Sequence, residues 1–268
     1  MDTTMTRFLD LNCDLGESYG VYHYGADAEM MPLITSANIA CGAHAGDPAT
    51  MRRSVRAALE HGVAMGAHVG LPDRWGFGRR EIPTSAGELY DLCLAQLGAL
   101  DAFVRAAGAR LRHLKLHGSL YVMANRDPDL ATATCRAVLD FDSSLTVYAL
   151  PGSALAEATG AAGLRLVGEY FADRPYTGTE VQMYRRSAED LGTPEQAAAR
   201  TLAALAGPEF AALGGIGTVC VHSDTVEAPR YLRVLRQHLA TAGFSPRAPG
   251  QTPATPDTGL RASALPAS

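Results

Sequence analysis

With 268 residues, 47% of them hydrophobic, the chain can bury one large core, and barrel folds of this length are often single domains. A net charge of -5 gives no basic footprint for nucleic acid. No apolar run approaches the ~20 residues of a membrane span, and the opening MDTTMTRFLD lacks a signal peptide's apolar region. The expectation is a cytoplasmic chain with neither a membrane nor a nucleic-acid partner.

Phe8 to Cys13 is a short strand candidate ending in NCDLGESYG, which delivers Asn12, Asp14 and Glu17 to a glycine-bounded loop. The apolar, β-prone run Ile34 to Cys41 follows and presents His44 and Asp47; Asp47 suits an N-cap and Pro48 the first position of a helix running to about His61. The design repeats at Val63 to Ala67, then His68 and the loop GLPD with Asp73; the words GAHAG and GAHVG echo each other. The loop continues through DRWGFGRR, with Trp75, Arg79 and Arg80. In the helix predicted over Ser85 to Ala107, Leu89, Leu92, Leu97, Leu100 and Val104 fall near one face.

Leu111 to Leu116 reads as a strand ending LKLHGSLY, Pro128 to Leu139 as a helix, Leu145 to Leu150 as a strand and Gly152 to Ala162 as a helix. Leu164 to Phe171 is a strand running into EYFADRPY, with Glu169, Asp173 and Arg174. An alanine-rich helix over Glu195 to Ala206, a strand Thr218 to His222 ending CVHSD, with Asp224 just beyond it, and a helix over Ala228 to Ala242 complete the pattern. From Pro246 to Ser268 the chain is rich in Pro, Ala, Ser and Thr without periodicity and reads as a loosely ordered tail. About seven strands alternating with helices imply right-handed crossovers and a parallel sheet. The polar motifs fall at strand ends, where such folds build active sites, and favour a TIM-barrel-like α/β architecture, a seven-stranded (β/α) barrel over residues 1–245.

Five cysteines (Cys13, Cys41, Cys93, Cys135, Cys220) are odd in number, widely spaced and set among apolar residues, and so read as reduced core residues. Lys115 is the only lysine, which points to a use of ammonium chemistry that Arg cannot supply, and it excludes a GxxxxGK[ST] phosphate loop. GIGTV precedes a strand and is not a nucleotide loop. His44, His68, His117 and His222 all end strand-like runs, and as a set they point to chemistry; His23, His61, His113 and His238 read as surface or helix-end residues. Asp14, His44 and His68 could form an Asp–His–His site for Zn, Mn or Fe with open positions for water, or serve acid–base work and anion binding without a metal. Asp14, Glu17, Asp47, Asp73, Glu169, Asp173 and Asp224 make the loop ends acidic against Lys115, Arg79 and Arg174. Asp47 is also a cap, and Arg174 either grips a carboxylate or pairs with Asp173 or Glu169.

Together the motifs LNCDLGE, SANIACGAHAGDP, GAHVGLPD with GFGRR, KLHGSLY, EYFADRPY and CVHSD resemble the LamB/YcsF family of 5-oxoprolinase A subunits, in order from about Leu9 to about Gly243. Departures are Leu116 where relatives commonly have Pro, Val69 and Leu71 in the AHxxxPD loop, Ser223 where Gly is usual, and MYRRSAED in place of a more Pro/Gly-rich loop. The resemblance implies a seven-stranded barrel related to polysaccharide deacetylases. It also implies ATP-dependent opening of 5-oxo-L-proline to L-glutamate with partner subunits B and C, which would handle ATP. Asp14, His44 or His68 would then position the attacking water, while Lys115 and His117 stabilise phosphoryl or oxyanion charge, worth ~3–4 kcal/mol per donor. Arg79 or Arg174 would bind the substrate carboxylate, with Asn12, Glu17, Asp47, Asp73, Glu169, Asp173, His222 and Asp224 lining the substrate site. The rivals are a metal-dependent deacetylase of N-acetylated sugars and a non-catalytic subunit that only holds the cyclic substrate. A homo-oligomer stays open.

Overall fold

A computed structural model of the chain describes residues 7–185 and 187–251. Seven strands, β1 (Arg7–Leu15), β2 (Ser36–Ala40), β3 (Ala64–Val69), β4 (His113–Leu116), β5 (Thr146–Ala149), β6 (Arg165–Phe171) and β7 (Thr218–Cys220), pair parallel in that order, and β7 closes on β1 through Asp10↔Thr218 to Asn12↔Cys220. This is the closed seven-stranded barrel expected from the sequence. An eighth strand, β8 (Phe244–Pro246), adds parallel to the first residues of β1, outside the ring.

The ring of helices comprises α1 (Pro48–Glu60), α2 (Ala86–Ala106), α3 (Gly118–Arg126), α4 (Pro128–Asp142), α5 (Ala154–Ala161), α6 (Pro194–Ala206) and α7 (Ala228–Thr241). Their starts follow local rules. Asp47 caps α1 by accepting from Thr50 N at 2.7 Å, with Pro48 at the first position. Ser85 and Glu88 form a capping box on α2, whose Leu89, Leu97, Leu100 and Val104 are fully buried. Helix α3 is the one the sequence hid. It starts at a glycine without a side-chain cap and buries Ser119, Leu120, Tyr121, Val122, Ala124 and Asn125, so it carries no amphipathic period. No described helix is long and apolar enough to cross a membrane.

The strands alternate in an unusual sense. Along β1, Leu9, Leu11, Cys13 and Leu15 belong to the apolar core, while Asp10, Asn12 and Asp14 make polar contacts with side chains of other strands across the barrel interior. The same holds in β4, where Leu114 and Leu116 are core and His113 and Lys115 join the interior network. Asn12 and Asp14 therefore lie inside β1 and not in the loop that the sequence suggested; only Glu17 stands beyond the strand. At the other end, Arg247 N donates to Leu9 O (2.9 Å) and Ala248 is buried, so residues 244–251 remain attached to the barrel. The rest of the Pro/Ala-rich tail lies outside the described residues. All five cysteines are buried and unpaired.

Candidate active site

Three polar layers stack along the barrel axis. In the lowest, both Asp10 oxygens are saturated by hydroxyls: Thr35 Oγ1 (2.6 Å) and Ser36 Oγ (2.7 Å) on Oδ1, Tyr148 OH (2.9 Å) and Thr218 Oγ1 (2.6 Å) on Oδ2. Above it, Asn38 Nδ2 donates to Asn12 Oδ1 (2.8 Å) and Asp14 Oδ1 (2.8 Å), and Asn38 Oδ1 meets His113 Nε2 at 2.8 Å. His113 thus corrects the sequence reading. It is buried, stacked on Tyr148 at 4.4 Å, and pushed down to about 3 by burial and by Lys115. Its ring fits only because Gly66 lies beside it: a Cβ there would stand 2.1 Å from the imidazole.

Lys115 Nζ sits between Asp14 Oδ1 and Glu169 Oε1, each at 2.9 Å, with Cys220 Sγ at 3.2 Å and Asn12 Oδ1 at 3.4 Å. Burial opposes its charge, but Asp14, Cys220 and Glu169 outweigh this and hold the ammonium well above its ordinary range. Burial would likewise raise Asp14, yet His68, Lys115 and His222 hold it well below the usual carboxylate range. The pair is ionised, and a buried ion pair of this kind is costly to break on one side.

The upper layer opens to solvent. A cavity of about 50 Å³ is lined by Asp14, Arg79, His117, Arg174, His222 and the loop residues Met183 and Tyr184, among others. His222 is fixed by Asp173, whose carboxylate accepts from His222 N (3.0 Å) and meets Nδ1 (3.0 Å), leaving Nε2 directed toward Asp14 Oδ2 at 3.7 Å. Burial would raise Asp173, but Arg174 (Nη1 at 3.0 Å) and His222 drive it far down. At the rim, Arg79 Nη2 and Tyr24 OH both donate to Asp224 Oδ2, at 2.7 and 2.8 Å.

Beside the cavity lie Glu17, His44, His68 and His117. Glu17 Oε1 stands 3.4 Å from His44 Nε2 and from His117 Nδ1, while His117 Nδ1 and His68 Nε2 are 2.9 Å apart. Burial, then Asp14 and Asp224, raises Glu17 well above the carboxylate range; burial and the neighbouring imidazoles keep His44 and His117 neutral. Two donor sets are compatible with a metal ion among the described residues: Glu17, His44, His68 and His117, and separately Asp14, Cys220 and His222, the atoms of each lying within 4.8 Å of one another. Asp14 Oδ2 also stands 3.2 Å from His68 Nε2, so Asp14 and His68 are neighbours as the sequence suggested, while His44 groups with Glu17 and His117.

Most sequence candidates converge on or beneath this mouth. Lys115 and Glu169 lie below the cavity and do not line it. Asp47 and Asp73 serve the loops instead: Asp47 also accepts from Gly20 N (2.7 Å), and Asp73 holds Gly76 N (2.9 Å) and the Arg80 guanidinium. Asp10, Asn38, His113, Tyr148 and Thr218 escaped the sequence reading. The available signal was their place in the same two-residue alternation as Asn12, Asp14 and Lys115.

Known proteins share both the sequence and the fold of this chain. A 5-oxoprolinase A subunit from Symbiobacterium thermophilum is 52% identical over 253 residues, 91% of this chain and 96% of the relative. A lactam utilization protein from Thermus thermophilus superposes with a TM-score of 0.81 at 43% identity, covering 90% of this chain and 99% of that one. A family 4 carbohydrate esterase from Streptomyces lividans, at 11% identity and a TM-score of 0.50 over 90% and 91% of the two chains, shares the fold alone. With the LamB/YcsF family model matching residues 9–253, the chain belongs to the LamB/YcsF family.

Proposed function

We propose that the chain is the lactam-opening component of an ATP-dependent 5-oxoprolinase, converting 5-oxo-L-proline to L-glutamate with subunits B and C. The observation that carries this reading is an oriented imidazole facing a cationic wall: His222, fixed by Asp173, opens into the same narrow cavity as Arg174 and Arg79. The names of the relatives, a 5-oxoprolinase A subunit and a lactam utilization protein, support it.

An unstrained lactam is resonance-stabilised, so water attacks it only once its carbonyl oxygen is activated, as by phosphorylation. The one lysine of this chain is held by Asp14 and Glu169, and the proposal leaves ATP to the partners. They would deliver the activated ring at the open end of the barrel, where Val21, Tyr22, Trp75, Tyr184 and Val226 are exposed on the loops. Arg174 and Arg79 then hold the substrate carboxylate or phosphoryl oxygens. His222 Nε2 takes a proton from the water that attacks the ring carbonyl carbon and passes it to the lactam nitrogen as the C–N bond breaks. A second water then hydrolyses the resulting acyl phosphate to glutamate and phosphate, while Asp173 keeps the other imidazole nitrogen protonated and oriented. Lys115 acts through Asp14, keeping that carboxylate ionised at the cavity floor. The role of stabilising the oxyanion passes to Arg174 and Arg79, which line the cavity.

The test is reconstitution: this chain, its partners, ATP and 5-oxoproline, with glutamate as readout. Glutamate should form only with all components present. Acetate release from an N-acetylated sugar by this chain alone, with no glutamate from the reconstituted system, would replace this reading by the deacetylase one.

A further inference from the structure

We propose that Glu17, His44, His68 and His117 are the four ligands of a closed, tetrahedral site for a divalent transition-metal ion of the zinc class. Each ligand comes from the C-terminal side of a different strand, β1 to β4, and all four are buried. At metal–ligand distances of about 2.1 Å, the corners of a tetrahedron stand about 3.4 Å apart. The separations here are 2.9, 3.4, 3.4 and 4.0 Å, and every donor lies within 4.8 Å of the others.

The outer hydrogen bonds fix which nitrogens carry lone pairs. His117 Nε2 stands 2.8 Å from Phe77 O and His68 Nδ1 stands 3.2 Å from Lys115 O. A carbonyl oxygen only accepts, so both of those nitrogens are N–H donors, and the rings turn their other nitrogens, His117 Nδ1 and His68 Nε2, toward each other at 2.9 Å. Two lone pairs at that distance require a cation between them, either a metal ion or a proton.

His44 decides for the metal. It is buried, stacks on His117 at 3.7 Å, and neither ring nitrogen has a hydrogen-bond partner; Glu17 Oε1, directed into the same space, has none either. A proton shared by His68 and His117 would leave these two groups unsatisfied, whereas one ion satisfies all four. Gly70 makes room for the arrangement, since a Cβ there would stand 2.3 Å from His44 Nδ1. Three imidazoles and one carboxylate suit zinc, and four protein ligands with no open position make the site structural: it ties four successive strand ends into one rigid half of the mouth.

The experiment is metal analysis of the full chain, followed by chelation and titration with Zn²⁺ and with Co²⁺, whose visible spectrum reports tetrahedral ligation. Roughly one equivalent should bind per chain, with a tetrahedral Co²⁺ spectrum and a raised melting temperature. His44→Gln should weaken binding by more than the roughly 10–100-fold cost of losing an outer hydrogen-bond partner. His222→Asn should leave the stoichiometry and spectrum unchanged. Wild-type protein that takes up neither ion overturns the site whether or not the variants fold. So does loss of the ion in the His222 variant with retention in the His44 variant, which would place it at Asp14, Cys220 and His222. None of these readouts depends on the reaction, so the lactam reading and the metal site fail separately.

Discussion

The two ends of the barrel interior use the same kinds of side chain to opposite effect. Around Asp10 every carboxylate lone-pair direction facing the protein meets a hydroxyl, and around Asn38 the amides and His113 close their own bonds. At the mouth, Glu17 Oε1 and both His44 ring nitrogens are buried without hydrogen-bond partners, and His222 is fixed on one nitrogen only. Polarity in the lower layers is spent on structure; polarity at the mouth is left available. Satisfaction of hydrogen bonds, more than burial or residue type, separates scaffold from site.

Changing one residue from each region tests this contrast most severely. His222→Asn should lower the rate of glutamate formation by about 10²–10⁴-fold, the usual worth of a general base, with a thermal transition close to wild type. Retention of full turnover would remove His222 from the chemistry. Asp10→Ala should do the reverse. It strands four hydroxyls and opens a void, so urea unfolding should show a loss of roughly 3–5 kcal/mol, while the folded fraction keeps its turnover. Unchanged stability would mean the lower layer is not the structural one.

A smaller effect belongs to His113. Its folded value, about 3, lies below the unfolded value near 6.5, so below pH 6.5 the unfolded chain binds a proton that the folded chain refuses. Its contribution is complete above pH 6.5 and is lost toward pH 3, at up to roughly 1.4 kcal/mol per pH unit. Urea midpoints measured from pH 7 to pH 4 should therefore fall less steeply in His113→Gln; parallel slopes would contradict the assignment. Smallest is Asp47→Ala, which removes a helix cap and the tether to Gly20. A loss of about 1 kcal/mol with an unchanged substrate KM is expected, and a raised KM would return Asp47 to the substrate site.

What could be read in advance follows the same division. Strand and helix order was legible because helix starts carry local signals, Asp47–Pro48 and Ser85 with Glu88 among them, and these hold in the fold. Histidines beside glycine pointed to the mouth because turns there need small residues. Depth along the axis was not legible: Asn12, Lys115 and Glu169 look like loop-end chemistry in sequence, yet each sits within its strand, β1, β4 or β6, beneath the mouth. His113 was missed because a single histidine before a leucine looks like surface, and only the pairing of Gly66 with His113 shows the space its ring needs. The partition of Glu17 and His117 from Asp14 depends on angles between strands, which no spacing in the chain encodes.

The outward apolar and inward polar faces of β1 also govern how the chain finds its alignment. Shifting β1 by one residue against its neighbours would turn Asp10, Asn12 and Asp14 onto the greasy undersides of the helices and drive Leu9, Leu11 and Leu15 into a polar shaft. The hydrophilic axis thus works as a key: it admits one stagger of the staves and rejects the adjacent ones, before any substrate is met.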